Sequence, residues 1–375
     1  MKVLFDFVPN HTSINHPYAE SVKKYGKASE FYDFYQRDMD GAKYASNYHR
    51  TTEGFIYYFW EDLINLNYKS EIVQRWMIEA CKYWVREFDI DGFRFDAVWG
   101  VNARMPAFGN KLRMALKAIK PDLFLLAEDK PGLEVYASGF DAAYDWEQDT
   151  SWVSHWSWQY RYHEKESHTV FNHPDVNKRA GMLRKAIFDQ PMYKSRTLHF
   201  MENNDLPRFG VHHSDQQVRM VAALLLSLPG IPLLYNGQEV GVKAHPYTRH
   251  SVFAADKSIR SLDSISFDYY QKLLRLRKKY PALSVGAMEH LPVANSQSVF
   301  AFHRWHEEDH FLVLLNLAGS ASSAVIDLTP LNIGKPGEAT DVISGKSVEI
   351  TRRGPHAYEA LFDLDGFSAM WLRFR

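Results

Sequence analysis

The sequence predicts an α/β fold of parallel βα units followed by a smaller antiparallel β domain. Short apolar runs of strand length alternate with longer segments of helical periodicity through the first three quarters of the chain. Several of those runs end on an acidic residue. After Pro281 the pattern changes to short alternating strands separated by glycine and polar turns.

The parallel strands are expected at Val3–Val8, Ile90–Asp96, Leu123–Glu128, Phe140–Tyr144, Thr197–Glu202 and Ile231–Tyr235, the last after the Pro229-Gly230 break. Apolar residues recurring at helical spacing mark the crossovers. They are Ile72, Trp76, Ala80, Tyr83 and Trp84; Leu112, Leu116 and Ile119; Leu183, Ala186 and Ile187; and Val218, Val221, Ala222 and Leu225. The polar, aromatic-rich stretch from Thr12 to Asn67 is too long for an ordinary βα loop and reads as an inserted subdomain. A last helix, Ser266 to Tyr280, precedes strands at Ser298–Trp305, Phe311–Leu317 and Ala369–Phe374. The domain boundaries expected from this pattern are 1–11 with 68–283 for the parallel part, 12–67 for the insert and 284–375 for the C-terminal β-sandwich.

With 375 residues, 46% of them hydrophobic, the chain can bury large cores. Lys and Arg total 44 against 45 Asp and Glu, so no general charge draws it to nucleic acid or an anionic membrane. Cys81, the single cysteine, excludes an intrachain disulfide framework and any multi-cysteine metal site. The apolar start is broken by Asp6 and Pro9, too short for a signal-peptide core, and the run Met220 to Leu228 is far below bilayer length. A cytoplasmic location is the expectation. Aromatic residues at 15% suit stacking on sugar faces, as in Trp152, Trp156, Trp158, Tyr160 and Tyr162, but they suit core packing as well.

Asp96, Glu128 and Asp205 each follow an apolar strand. In a parallel barrel that C-terminal edge assembles sites, because strand ends from distant parts of the chain converge on it. Clustered acids repel, so one tends to hold its proton while another stays ionised, the division of labour that glycoside hydrolysis needs. Arg94 shares a strand face with Asp96 and can hydrogen-bond it.

These residues resemble the α-amylase family of retaining α-glucan-active enzymes, glycoside hydrolase family thirteen. Asp6-Phe7-Val8-Pro9-Asn10-His11 is similar to its first signature segment, Gly92-Phe93-Arg94-Phe95-Asp96 to its second, and Leu126-Ala127-Glu128 to its third. Phe200-Met201-Glu202-Asn203-Asn204-Asp205 is similar to the fourth, and Leu63 to Tyr68 to a fifth, shorter one. Tyr235-Asn236-Gly237-Gln238-Glu239 also fits the family. The resemblance implies Asp96 as nucleophile, Glu128 as general acid and then base, and Asp205 as the carboxylate that binds sugar hydroxyls and stabilises the transition state. It implies that Arg94 orients the nucleophile, Asp6 buttresses Arg94, and His11 and Asn204 bind the sugar. An α-glucan or oligosaccharide is the implied substrate and no cofactor is required, although Asn10 stands where many relatives bind calcium.

Against the family pattern, Asn204 stands where histidine is usual, which predicts altered specificity or reduced rate, because an amide cannot become cationic. Two further βα units precede the first segment in relatives, so the expected fold is an incomplete TIM-type (β/α) barrel of about six strands. Its open edges predict self-association into a homo-oligomer. The rival to an active glycosidase or transglycosylase is a catalytically impaired, amylase-derived glucan-binding or assembly protein.

Overall fold

The computed structural model describes residues 1–38, 48–145, 170–188, 196–248, 264–331, 337–350, 352–353 and 357–374. The aromatic group from Trp152 to Tyr162 lies outside the described residues. The chain divides into two units, Met1–Trp146 and Glu147–Arg375.

In the first unit the chain runs β1 (Leu4–Phe7), β2 (His11–Ser13), α1 (Pro17–Tyr25), β3 (His49–Arg50), β4 (Ile56–Tyr57) and β5 (Leu63–Asn65). It continues through α2 (Glu71–Phe88), β6 (Gly92–Phe95), α3 (Val98–Arg104), α4 (Ala107–Lys117), β7 (Phe124–Ala127), α5 (Leu133–Ala137) and β8 (Ala142–Tyr144). Strands β1, β6, β7 and β8 pair in that order, all parallel, with Asp6 beside Arg94 and Arg94 beside Leu126. The expected insert holds its own antiparallel sheet, ordered β2-β5-β4-β3.

Helix α2 is the expected crossover, and its most buried residues are not those that mark it in the sequence. The face that packs inward is Val73, Met77, Cys81 and Val85, spaced by fours, while Ile72 and Tyr83 are 56% and 54% exposed. Two apolar stripes compete on this helix. The aliphatic one is the more deeply buried, and the bulkier aromatics flank it, Trp84 against Phe5 of β1 at 4.6 Å between ring centroids. Burial pushes the Cys81 thiol well up, as for a small hydrophobe rather than a reactive group. The helix stops at Asp89, whose left-handed φ of 47° turns the chain into β6.

All four residues of β6 are buried, which a strand covered on both faces requires. Gly92 admits no side chain: a Cβ there would lie 2.2 Å from the carbonyl oxygen of Phe124 on β7. Gly92→Ala is therefore expected to cost about 3 kcal/mol or more, read as a lowered urea midpoint; an unchanged midpoint would mean that the strands slide apart freely. At the other side of the sheet β1 has β6 as its neighbour and, among the described residues, no second one, and Val3, Leu4 and Val8 are exposed.

In the second unit Thr197–His199 (β9) and Ile231–Pro232 (β10) pair parallel, with helices Val176–Phe188, Asp215–Ser227 and Ser264–Lys279. Both strands are shorter than expected: β9 ends at His199, where the fourth segment begins, and β10 ends at Pro232, after which the Leu233 N–H still donates to the His199 carbonyl at 2.8 Å. Ser214 and Gln217 form a reciprocal capping box at the start of Asp215–Ser227.

The C-terminal region is two antiparallel sheets, one of six strands and one of three. They enclose a shared apolar cluster that includes Leu312, Leu314, Ile326, Phe362 and Leu372. The fold is thus α/β and barrel-like, with a C-terminal β domain. No helix among the described residues is long and apolar enough to cross a membrane.

Candidate active site

The centre of the first unit's site is Arg94, 7% exposed, in the middle of β6. Its Nη1 donates to Asp6 Oδ1 at 2.8 Å and to Asp96 Oδ1 at 2.5 Å, and its Nε donates to the Tyr144 hydroxyl at 3.1 Å. Nη2 lies 2.9 Å from Glu128 Oε1, a close charge contact whose N–H is not aimed along the line between them. One guanidinium thus gathers side chains from four consecutive strands of the sheet. Burial opposes its charge, but Glu128, Tyr144, Asp96 and Asp6 outweigh burial and raise the guanidinium above its ordinary value.

Backbone geometry supplies a second link. Ala97, next to Asp96, has φ of 45°, a left-handed conformation that costs a residue with a Cβ about 1–2 kcal/mol. That turn aims the Ala97 N–H at Glu128 Oε2, 2.5 Å away. Asp96 and Glu128, at the ends of β6 and β7, are therefore held both by one side chain and by one peptide group.

The other residues expected in this unit are placed as follows. The Asp6 side chain is 65% exposed, so its ion pair is worth at most about 1 kcal/mol. Asp6→Asn should shift the thermal midpoint by no more than that figure implies; a loss of stability as deep as that of an Arg94 variant would show that Asp6 carries more. His11 opens β2, and burial lowers its imidazole pKa, assisted by Arg104 and opposed by Asp96 and Asp62. Its Nδ1 lies 3.2 Å from the Nδ2 of Asn10, which is 2% exposed.

Asn10 does not fit a divalent cation. Its Oδ1 accepts a hydrogen bond from Arg104 Nη2 at 2.9 Å, which places a guanidinium against the oxygen a metal would need. Among the described residues no group of three or more His, Cys, Asp or Glu could hold a metal ion.

The second unit carries Asn204 and Asp205 just beyond β9, both partly buried. Asp205 Oδ1 accepts from the Tyr247 hydroxyl at 2.8 Å, and its N–H donates to Asn203 Oδ1 at 2.9 Å. In the same segment Glu202 is buried against Arg208 at 2.8 Å and accepts the Phe209 N–H at 2.7 Å, anchoring the loop. Sequence reasoning missed Tyr144, Tyr247 and Arg104. Tyr144 ends a strand that was itself expected, which was its available signal; the other two lie in segments without one.

A parallel α/β scaffold with a carboxylate pair fixed on a buried arginine at adjoining strand ends is the arrangement by which (β/α) barrel proteins assemble their sites. Within that class the chain belongs to the alpha-amylase family: the alpha amylase catalytic domain matches residues 1–268. Among curated relatives, the alpha-amylase MalA of Haloarcula japonica is 28% identical over 354 residues, 92% of this chain and 46% of that protein. The maltogenic alpha-amylase of Bacillus acidopullulyticus is 26% identical over 84% of this chain and 52% of its own length. The chain thus spans about half the length of the curated relatives it matches. The native debranching enzyme of Nostoc punctiforme superposes with a TM-score of 0.76 at 19% identity, covering 99% of this chain and 76% of that one. An Anoxybacillus alpha-amylase gives 0.71 at 22%, covering 100% and 76%. At these identities the structural likeness speaks for the fold.

Proposed function

We propose that the chain is a retaining glycosidase or transglycosylase acting on α-linked glucosides, with Asp96 as nucleophile and Glu128 as acid and base. The observation that carries this reading is the shared guanidinium: Arg94 contacts both Asp96 and Glu128, at the ends of adjacent strands. Such close placement suits the separation of about 5–5.5 Å that a double displacement uses.

In the first step Asp96 Oδ forms a bond to the anomeric carbon as the glycosidic C–O bond breaks, and Glu128, which must enter this step as the carboxylic acid, gives its proton to the departing oxygen and becomes the carboxylate. In the second, Glu128 takes a proton from water or a sugar hydroxyl, whose oxygen attacks the anomeric carbon and releases Asp96. Asp205, with His11 and Asn204, is assigned to the sugar hydroxyls, and Asp205 also to the positive charge that develops on the ring. Names among the relatives, alpha-amylase and maltogenic alpha-amylase, support an α-glucan substrate. The proposed domain division is 1–11 with 68–283, an insert at 12–67 and a C-terminal domain at 284–375. It is supported by the insert's separate sheet and by the C-terminal apolar cluster.

The test incubates the chain with a chromogenic maltooligoside beside Glu128→Gln, following the first-formed anomer by proton NMR. Release of the α-anomer by the wild type and not by the variant is expected. Release of the β-anomer would overturn the retaining mechanism, and glucan binding without turnover would replace the enzyme by a binding protein.

A further inference from the structure

The site around Asn10 shows four oxygens converging on one cationic head group. Arg104 Nη2 donates to Asn10 Oδ1 at 2.9 Å and lies 3.5 Å and 3.4 Å from the carbonyl oxygens of Asn10 and Leu66. Its Nη1 donates to the Tyr58 hydroxyl at 2.6 Å, and Tyr58 in turn shares a hydrogen bond with Tyr48 at 3.0 Å. Asn10, Leu66 and Tyr58 are all buried. None of these oxygens belongs to a carboxylate. A cage of neutral oxygens around a delocalised monovalent cation suits a guanidinium, whereas calcium prefers six to eight oxygens with carboxylates among them.

We propose that Arg104 is a built-in cation that makes this site independent of divalent metal and fixes the tautomer of His11. The tautomer follows from donor and acceptor identity. Arg104 can only donate, so the Asn10 amide must turn its oxygen toward Arg104 and its NH₂ toward the other side. There Nδ2 meets His11 Nδ1 at 3.2 Å and Asn65 Oδ1 at 3.4 Å. An NH₂ facing Nδ1 makes that nitrogen the acceptor, so the neutral imidazole carries its proton on Nε2. His11 is then left with an N–H donor at Nε2, the atom able to donate to a sugar hydroxyl.

Packing leaves the amide little freedom to turn over. Gly100 on α3 sits so close that a Cβ would lie 2.5 Å from Asn10 Oδ1 and 2.9 Å from a ring carbon of Tyr58. Residues just after β4 and β5, from α3 and from the loop after β1 thus converge on Arg104, a positioning residue that acts on the sugar subsite through Asn10 and His11.

The part of this inference that concerns the sugar rests on the glycosidase reading; the metal and tautomer parts need no turnover. The wild type is first melted in EDTA and in millimolar calcium chloride, where the same midpoint is expected. A midpoint that falls in EDTA and returns with calcium would overturn the proposal, whatever the variants do. Long-range ¹H–¹⁵N spectra should then show His11 protonated at Nε2 in the wild type and as a mixture in Arg104→Met. Arg104→Lys should restore part of the Nε2 form, since an ammonium also only donates. The Met variant's kcat/KM should fall about tenfold, the scale of one disordered hydrogen bond to substrate. Should Arg104→Met not fold, Gly100→Ala displaces the Asn10 amide while leaving Arg104 intact and gives the same spectral readout. A His11 spectrum unchanged in whichever variant folds would refute the tautomer role. A changed tautomer without any glucoside turnover in the wild type would instead count against the glycosidase reading alone.

Discussion

Asp96→Asn is expected to lower kcat/KM on an α-linked maltooligoside by about 10⁴-fold or more, the scale seen when a covalent nucleophile is removed. The substitution keeps the size of the side chain, and its remaining oxygen can still accept from Arg94 Nη1, so the fold should survive. The Asp96 side chain is 25% exposed, and Arg94 retains Asp6 and Glu128 as counter-charges. A urea midpoint close to the wild type's, together with lost turnover, is the expected pair of results. Residual activity above about one per cent would mean that the anomeric carbon is attacked by some other group.

Arg94→Met should damage activity and stability together, and for one reason. It deletes the charge that Glu128 and Asp96 share, leaving buried carboxylate without a counter-ion. Removing one partner of a buried pair costs about 3–5 kcal/mol. Most of that cost falls on Glu128, which is 6% exposed, and little on Asp6, which water already solvates. Arg94→Lys should rescue only a small part. A point-like ammonium cannot contact Asp6, Asp96, Glu128 and Tyr144 at once, as the planar fork does. Chemical denaturation beside the oligosaccharide assay separates the two losses. A methionine variant as stable as the wild type would show that water, not Arg94, neutralises this cluster.

Much of the scaffold and the first unit's carboxylate centre could be read directly from the chain. Each of the six parallel strands was foreseeable, because covered strands leave apolar runs, and Arg94 with Asp96 stood two residues apart on one such run. What stayed hidden depended on contacts between distant segments. The most buried face of α2 could not be chosen because both of its stripes are apolar, and only tertiary packing selects Val73, Met77, Cys81 and Val85. Arg104 looks like an ordinary basic residue at a helix end, and its role appears only where Asn10, Leu66 and Tyr58 surround it. Tyr247 is 42 residues from the Asp205 carboxylate it holds, with no periodicity to connect them.

The left-handed turn at Ala97 bears on how this centre could ever be altered. Because the group that grips Glu128 Oε2 there is main chain, no exchange of side chains short of proline, which lacks an N–H, can delete it. A glycine at this position would relax the torsion yet keep the amide, and a bulky β-branched residue would resist the torsion itself. The anchor is thus encoded as a shape the chain must adopt rather than as a functional group it must carry, and a reader of letters alone passes over it.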